Sequence, residues 1–315
     1  MLTHEPLLPD PIPVDVGGTC VATRVVEPAG PVRGDVVLCH GTPWSSQVWG
    51  RVARELGRDH RVFLWDMPGY GDSEKGPAVA TDLRSQMERM ASLLRTWDLH
   101  HPHVVAHDIG GAVALGAHLL HGVDYADLFL WDVVTLDPWG SPFFRLVAEN
   151  TDVFAQLPPD LHAALVTGYI TGALSRKLPD RDIDALVSPW TAPGGQAAFY
   201  LQITALSSAD TRAVAERLGA TRCPTRIGWG RADPWIPLDQ AYELRSGLPG
   251  DPDVVVLDDV GHLTPYENPV AVAAALRAWL TGAADRPRAG RVRRPGATSA
   301  DATAIDVCAR RGSHP

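Results

Sequence analysis

In "AHDIGGAV", residues 106–113, an acidic side chain stands where a chain turns sharply. Asp108 ends one apolar run and opens another, with Gly110 and Gly111 close behind. The local pattern is small, any, acid, any, small: Ala106, His107, Asp108, Ile109, Gly110. This is the spacing of a nucleophile elbow, a tight strand-to-helix turn usually written around serine, here written around a carboxylate. Small neighbours leave room for the turn, and glycine tolerates its dihedrals. The following helix N-terminus favours an ionised acid. A helix-capping turn aspartate is the plainer alternative. The sharper one is covalent chemistry, in which a carboxylate attacks an electrophilic carbon and leaves an ester on the protein. Hydrolysing such an ester needs a base and a group to orient it. Asp233 in "RADPWIP" and His262 in "GHLTPYENP" follow in the order nucleophile, acid, histidine.

These residues must be brought together by elements far apart in the chain. "DVVLCHG" (35–41), "HRVFLWDMPGYGDS" (60–73), "HVVAHD" (103–108) and "ADLFLWDVVTL" (126–136) read as buried strands running into turns. "TDLRSQMERMASLLRTWDL" (81–99) places Leu83, Met87, Met90, Leu94 and Trp97 at helical spacing, with Thr81 or Asp82 as its cap. "GGAVALGAHLLHG" (110–122) reads as the helix after the elbow. From Pro138 to about Leu218 the pattern is helical, broken by Pro and Gly, with no clear strand. Strands return at "PTRIGWG" (224–230) and "DVVVLDDVGH" (253–262), and "PVAVAAALRAWL" (269–280) reads as a closing helix. Alternating strands and helices predict an α/β fold with a parallel sheet. Asp108, Asp233 and His262 then fall at the carboxyl ends of strands, where sites in such sheets gather.

Five segments carry a resemblance: "CHGTPWSSQVWG" (39–50), "WDMPGYGDS" (65–73), "AHDIGG" (106–111), "GWGRADPWIP" (228–237) and "GHLTPYENP" (261–269). In this order they resemble α/β-hydrolases of the epoxide hydrolase and haloalkane dehalogenase group, over about residues 15–282. The resemblance implies a mostly parallel sheet flanked by helices, with a helical cap inserted. The organisation expected is core over 1–137 and 219–282, cap over 138–218, and a disordered tail over 283–315. It implies Asp108 as nucleophile, His262 as base and Asp233 as orienting acid, with Asp132 and Asp137 as alternatives for that acid. The backbone N–H groups of Thr42 and Ile109 would form the oxyanion hole, with Thr42–Pro43 cis, and His40 would brace the loop. Tyr200 and Tyr169 would donate to the leaving group, and His40, Trp44, His107, Trp139 and Trp235 would line the pocket. No metal or cofactor is implied; the partners are a small apolar electrophile and water.

Within that group, opening an epoxide to a diol is the first expectation and carbon–halogen hydrolysis the alternative. Ile109 stands where the dehalogenases normally carry Trp, and Thr42 where they often carry Asn, so two halide donors are replaced. A non-hydrolytic binding or biosynthetic role on the same fold is the third reading; a complete triad speaks against pure binding.

Bulk properties exclude other classes. The chain has 315 residues and is 45% hydrophobic, enough for a substantial core. Its net charge of −9 argues against nucleic acid as the main partner. Cys20, Cys39, Cys223 and Cys308 fit neither a zinc site nor a disulfide framework. "HHPHVV" (100–105) lacks the spacing of a metal site, and "GYGDSEK" (69–75) lacks the ending of a phosphate-binding loop. No run of eighteen apolar residues and no basic leader is visible, so no membrane span is expected and the cytoplasm is the expected location. The segment after Gly282 carries seven arginines against three aspartates, which leaves a basic arm as the alternative to a plain tail.

Overall fold

The computed structural model describes residues 7–284. Its strands are β1 (Ile12–Val16), β2 (Thr19–Val26), β3 (Asp35–Cys39), β4 (Arg61–Trp65), β5 (His103–His107), β6 (Asp127–Trp131), β7 (Thr225–Gly230) and β8 (Val254–Leu257). They form one sheet in the order β1–β2–β4–β3–β5–β6–β7–β8. β1 and β2, and β2 and β4, pair antiparallel, and every pair from β4–β3 to β7–β8 is parallel. The inner strands are apolar almost without interruption, as strands covered on both faces must be.

The helices are α1 (Gly50–Leu56), α2 (Leu83–Thr96), α3 (Ile109–Leu119), α4 (Pro142–Glu149), α5 (Thr151–Ala155), α6 (Pro159–Thr171), α7 (Asp180–Thr191), α8 (Gly195–Ala205), α9 (Ser208–Ala215), α10 (Asp239–Gly247), α11 (Thr264–Glu267) and α12 (Pro269–Ala284). Asp82 caps α2, its carboxylate accepting from the Ser85 N–H at 2.9 Å. Leu83, Met87, Met90 and Leu94 of α2 are buried, and α2 packs on α3. Residues 109–118 of α3 are all buried, which explains why that helix is apolar all round. Between β6 and β7 the described chain makes α4 to α9 and no strand.

Three readings shift. The hairpin β1–β2 has no counterpart in the sequence reading; Gly17 and Gly18, at φ 62° and 84°, make its turn. The strand expected over 126–136 ends at Trp131, because Asp132 swings to φ 46°. The tail boundary at 283 falls inside α12, and the rest of 283–315 lies outside the described residues. Among the described residues no helix is long and apolar enough to cross a membrane.

A buried ion pair pins the loop after β4. Arg24, on β2 and 1% exposed, places Nη1 3.2 Å from Asp66 Oδ2 and 2.9 Å from Ser46 Oγ, while Nη2 reaches Asp72. Asp66 also accepts from the Ser46 N–H at 2.7 Å and the Asp72 N–H at 2.8 Å. Removing one partner of a buried pair strands the other charge. Arg24→Met is therefore expected to cost about 3–5 kcal/mol of stability, read as a fall in the urea midpoint at unchanged slope. An unchanged midpoint would show that the pair contributes no net stability.

Candidate active site

Asp108 caps α3 at φ 54° and ψ −131°, a conformation that a non-glycine residue adopts only when its surroundings enforce it. Its N–H donates to the Trp131 carbonyl at 3.2 Å, and its own carbonyl accepts from Gly111 at 2.9 Å and Val134 at 3.0 Å. Gly110 is required by close approach: a Cβ there would lie 2.4 Å from the His40 carbonyl oxygen. The turn leaves the carboxylate buried at 2% exposure and aimed at two backbone donors. Ile109 N–H meets Oδ1 at 2.5 Å and Thr42 N–H meets Oδ2 at 3.0 Å, after a cis Thr42–Pro43 bond has shaped the β3 loop. Burial pushes the Asp108 pKa up; His262 and the two N–H groups pull it back without cancelling the shift.

His262 Nε2 lies 3.5 Å from Asp108 Oδ2, and its Nδ1 lies 2.8 Å from Asp233 Oδ2. The other oxygen of Asp233 accepts from the N–H groups of Trp235 at 2.8 Å and Ile236 at 2.9 Å, which fixes the carboxylate. Burial alone would lower the His262 pKa, but the charges and hydrogen bonds of Asp233 and Asp108 outweigh it and hold it well above its usual value. Asp132 sits beside this pair and does not hold the imidazole. Its Oδ1 accepts from the Gly230 N–H at 2.7 Å and its Oδ2 pairs with the Thr264 hydroxyl. Burial and the charge of Asp233 push Asp132 well above the ordinary carboxylate range. Asp137 is paired with Arg212 at 3.2 Å, on the insertion side. The ends of β7 and β8 come this close because Gly230 lacks a side chain; a Cβ there would lie 2.3 Å from the Gly261 carbonyl oxygen.

The remaining candidates divide. His40 donates from Nδ1 to the Gly41 carbonyl at 2.8 Å and accepts at Nε2 from the Met67 N–H at 2.9 Å, so it spans two loops as a neutral ring whose pKa burial lowers. His107 donates from Nε2 to the His262 carbonyl at 2.8 Å. Trp235 stacks with Trp44, at 6.0 Å, and with Tyr169, at 4.7 Å, and is tilted against His262 at 4.9 Å. Trp139 is directed into the insertion, where Nε1 donates to Thr211 Oγ1 at 2.8 Å.

The two tyrosines part ways. Tyr169 stacks on Trp235, which lies against His262, and burial, then the charge of Asp108, then Tyr70 push its pKa well up. The expectation that Tyr200 donates at Asp108 is not met. His162 Nε2 donates to the Trp190 carbonyl at 3.0 Å, so its Nδ1 is an acceptor, and the Tyr200 hydroxyl donates to it at 2.9 Å. Two residues with no role in the sequence reading stand in the site instead. Tyr70, in the loop after β4, donates to Gln202 Oε1 at 2.7 Å, and Thr42 Oγ1 donates to the same oxygen at 2.8 Å. Tyr70 lies in the quoted "WDMPGYGDS" segment; Gln202 is one of several polar residues on a mainly apolar helix and carries no signal of its own. Among the described residues no group of three His, Cys, Asp or Glu is placed to hold a metal.

Comparison with known proteins agrees on the fold. A solved α/β hydrolase fold protein from Burkholderia ambifaria is 39% identical, with a TM-score of 0.79 over 84% of this chain and 96% of that one. The haloalkane dehalogenase DatA from Agrobacterium tumefaciens shares the fold at 18% identity and a TM-score of 0.69, over 87% of this chain and 96% of that one. A 2-hydroxy-6-oxo-6-phenylhexa-2,4-dienoate hydrolase from Comamonas testosteroni is 25% identical over 261 residues, 74% of this chain and 82% of that protein. The model of the Alpha/beta hydrolase family matches residues 36–275, and the chain belongs to that family.

Proposed function

We propose that the protein is a hydrolase that works through an alkyl ester on Asp108, opening a small apolar epoxide to a diol. The observation that carries this reading is a carboxylate at the elbow, held by two backbone N–H groups and faced by His262 Nε2 at 3.5 Å. The helical insertion acts as the cap, and Asp233 orients the base. Asp108 attacks an epoxide carbon while Tyr169 gives its proton to the departing oxygen, leaving a phenolate. Esterification removes the Asp108 charge that helps hold the His262 pKa up, so the ring can act as base: it takes a proton from water, and the hydroxide attacks the ester carbonyl. The Thr42 and Ile109 N–H groups, one on each oxygen of the resting carboxylate, turn to the resulting oxyanion and stabilise it. Collapse releases the diol oxygen, which takes the proton from His262; the new Asp108 acid returns its proton to Tyr169. The stacked Trp44, Trp235 and Tyr169 rings supply an apolar wall. Asp108 and His262 are 2% and 0% exposed, so the reaction takes place away from bulk water.

Carbon–halogen hydrolysis uses the same nucleophile. It is favoured by Trp44 Nε1, a buried N–H at the site with no acceptor among the described residues. Product identity separates the two: styrene oxide should yield diol, and bromide released from a bromoalkane without any diol from epoxides would reverse the order. Neither product from either panel would favour a non-hydrolytic role.

Asp108→Asn should abolish turnover, while His262→Gln should accumulate protein heavier by one intact epoxide, seen by mass spectrometry and mapped to Asp108. An unmodified His262→Gln protein would overturn the ester mechanism. Tyr169→Phe should slow diol formation by about 10²–10⁴-fold, the usual share of a general acid, whereas Tyr200→Phe should slow it far less. Equal losses would remove Tyr169 from the acid role. Attack needs ionised Asp108, and its pKa is raised, so activity is lost early on acidification. The acid limb of kcat/KM should lie above the ordinary aspartate value of about 3.9. A limb at or below that value would contradict burial as the dominant influence.

A further inference from the structure

We propose that the side-chain amide of Gln202 is a second leaving-group donor, hydrogen-bonding the oxygen that becomes negative as Asp108 attacks. The proposal rests on the reading of Asp108 as nucleophile. Gln202 lies on α8 and is fully buried. Its Oε1 is occupied by two hydroxyl donors, Thr42 Oγ1 at 2.8 Å and Tyr70 Oη at 2.7 Å. Its Nε2 is buried and has no partner among the described residues. A buried donor without an acceptor is costly, and native proteins keep few of them. Two hydroxyls converging on one end orient the amide, so its free N–H groups are presented rather than loose.

The position relative to the nucleophile is set by Thr42. That residue gives its N–H to Asp108 Oδ2 at 3.0 Å and its hydroxyl to Gln202, so the amide stands one residue from the reacting carboxylate. Tyr70, the other hydroxyl on Oε1, has its pKa pushed up by burial and also by the charge of Asp108. The acceptor that suits this site is an electronegative atom gaining charge in a dry environment, and an opening epoxide oxygen is such an atom. Gln202 transfers no proton; it stabilises the charge while Tyr169 supplies the proton. The donor that Ile109 does not offer from the nucleophile side is thus provided from the inserted helices.

The test follows adduct formation on Asp108 by intact mass, with styrene oxide, in the His262→Gln protein. Gln202→Met removes both ends of the amide. Gln202→Glu keeps the acceptor for Thr42 and Tyr70 but lacks the N–H groups until its carboxyl is protonated. Gln202→Met should slow adduct formation by about 10²-fold at every pH, relative to the His262→Gln parent at the same pH. Gln202→Glu should be as slow at high pH and recover toward the parent as pH falls. Rates equal to the parent in both variants would overturn the proposal. An equal loss in both with no acid recovery would also overturn it, because Gln202 would then only hold Thr42 and Tyr70 in place. If the parent itself forms no adduct, the nucleophile reading falls first and this inference falls with it.

Discussion

Everything in the site depends on one backbone conformation, Asp108 at φ 54° at the end of β5. An L residue pays for that geometry, so the surroundings must over-determine it. They do so through backbone groups: Trp131 at the end of β6 accepts from its N–H, while Gly111 and Val134 give N–H groups to its carbonyl. The side chain is then left with no route except toward the loop after β3, where the Thr42 N–H meets it. The close passage of Gly110 against the His40 carbonyl fits the same design. His40 in turn links the Gly41 carbonyl to the Met67 N–H, joining the loops after β3 and β4.

The second constraint is electrostatic. Asp108, Asp132 and Asp233 surround a single imidazole in the interior, and so many carboxylates cannot all be charged without compensation. The structure divides the roles by hydrogen bonding. Asp233 has two backbone N–H donors and the imidazole. Asp108 has two backbone N–H donors and the far side of the same ring. Asp132, with one N–H and one hydroxyl, is the acid pushed well above the ordinary range. Such a spread of environments gives neighbouring carboxylates different affinities for a proton.

The inserted helices are tied to the sheet at the places that matter. Glu267, buried beside α12, accepts from the Gly261 N–H at 3.0 Å and from the Ser175 N–H at 3.0 Å. His262 donates its own N–H to the Ala173 carbonyl at 2.9 Å. On the other side, Trp190 Nε1 donates to the Pro43 carbonyl at 2.9 Å, next to Thr42. Both the loop that carries His262 and the loop after β3 are therefore tied directly to the insertion.

The sequence by itself determined the strand rhythm, the order of Asp108, Asp233 and His262, and the helical insertion, because these are written in local periodicity and in turn residues. Even the missed β1–β2 hairpin is marked by "VGGT", a glycine pair between alternating residues. What local pattern cannot carry is the direction of a side chain across the interface between sheet and insertion. Tyr200 and Gln202 are two residues apart on α8, yet one is held by His162 and the other by Thr42 and Tyr70. In one dimension Asp132 stays open as an alternative to Asp233, and only the folded chain, with Gly230 packed against the Gly261 carbonyl, shows Nδ1 given to Asp233. Helical periodicity decides which face is apolar. Which polar group on that face finds a partner, and which is left without one, is decided by contacts between residues far apart in the chain.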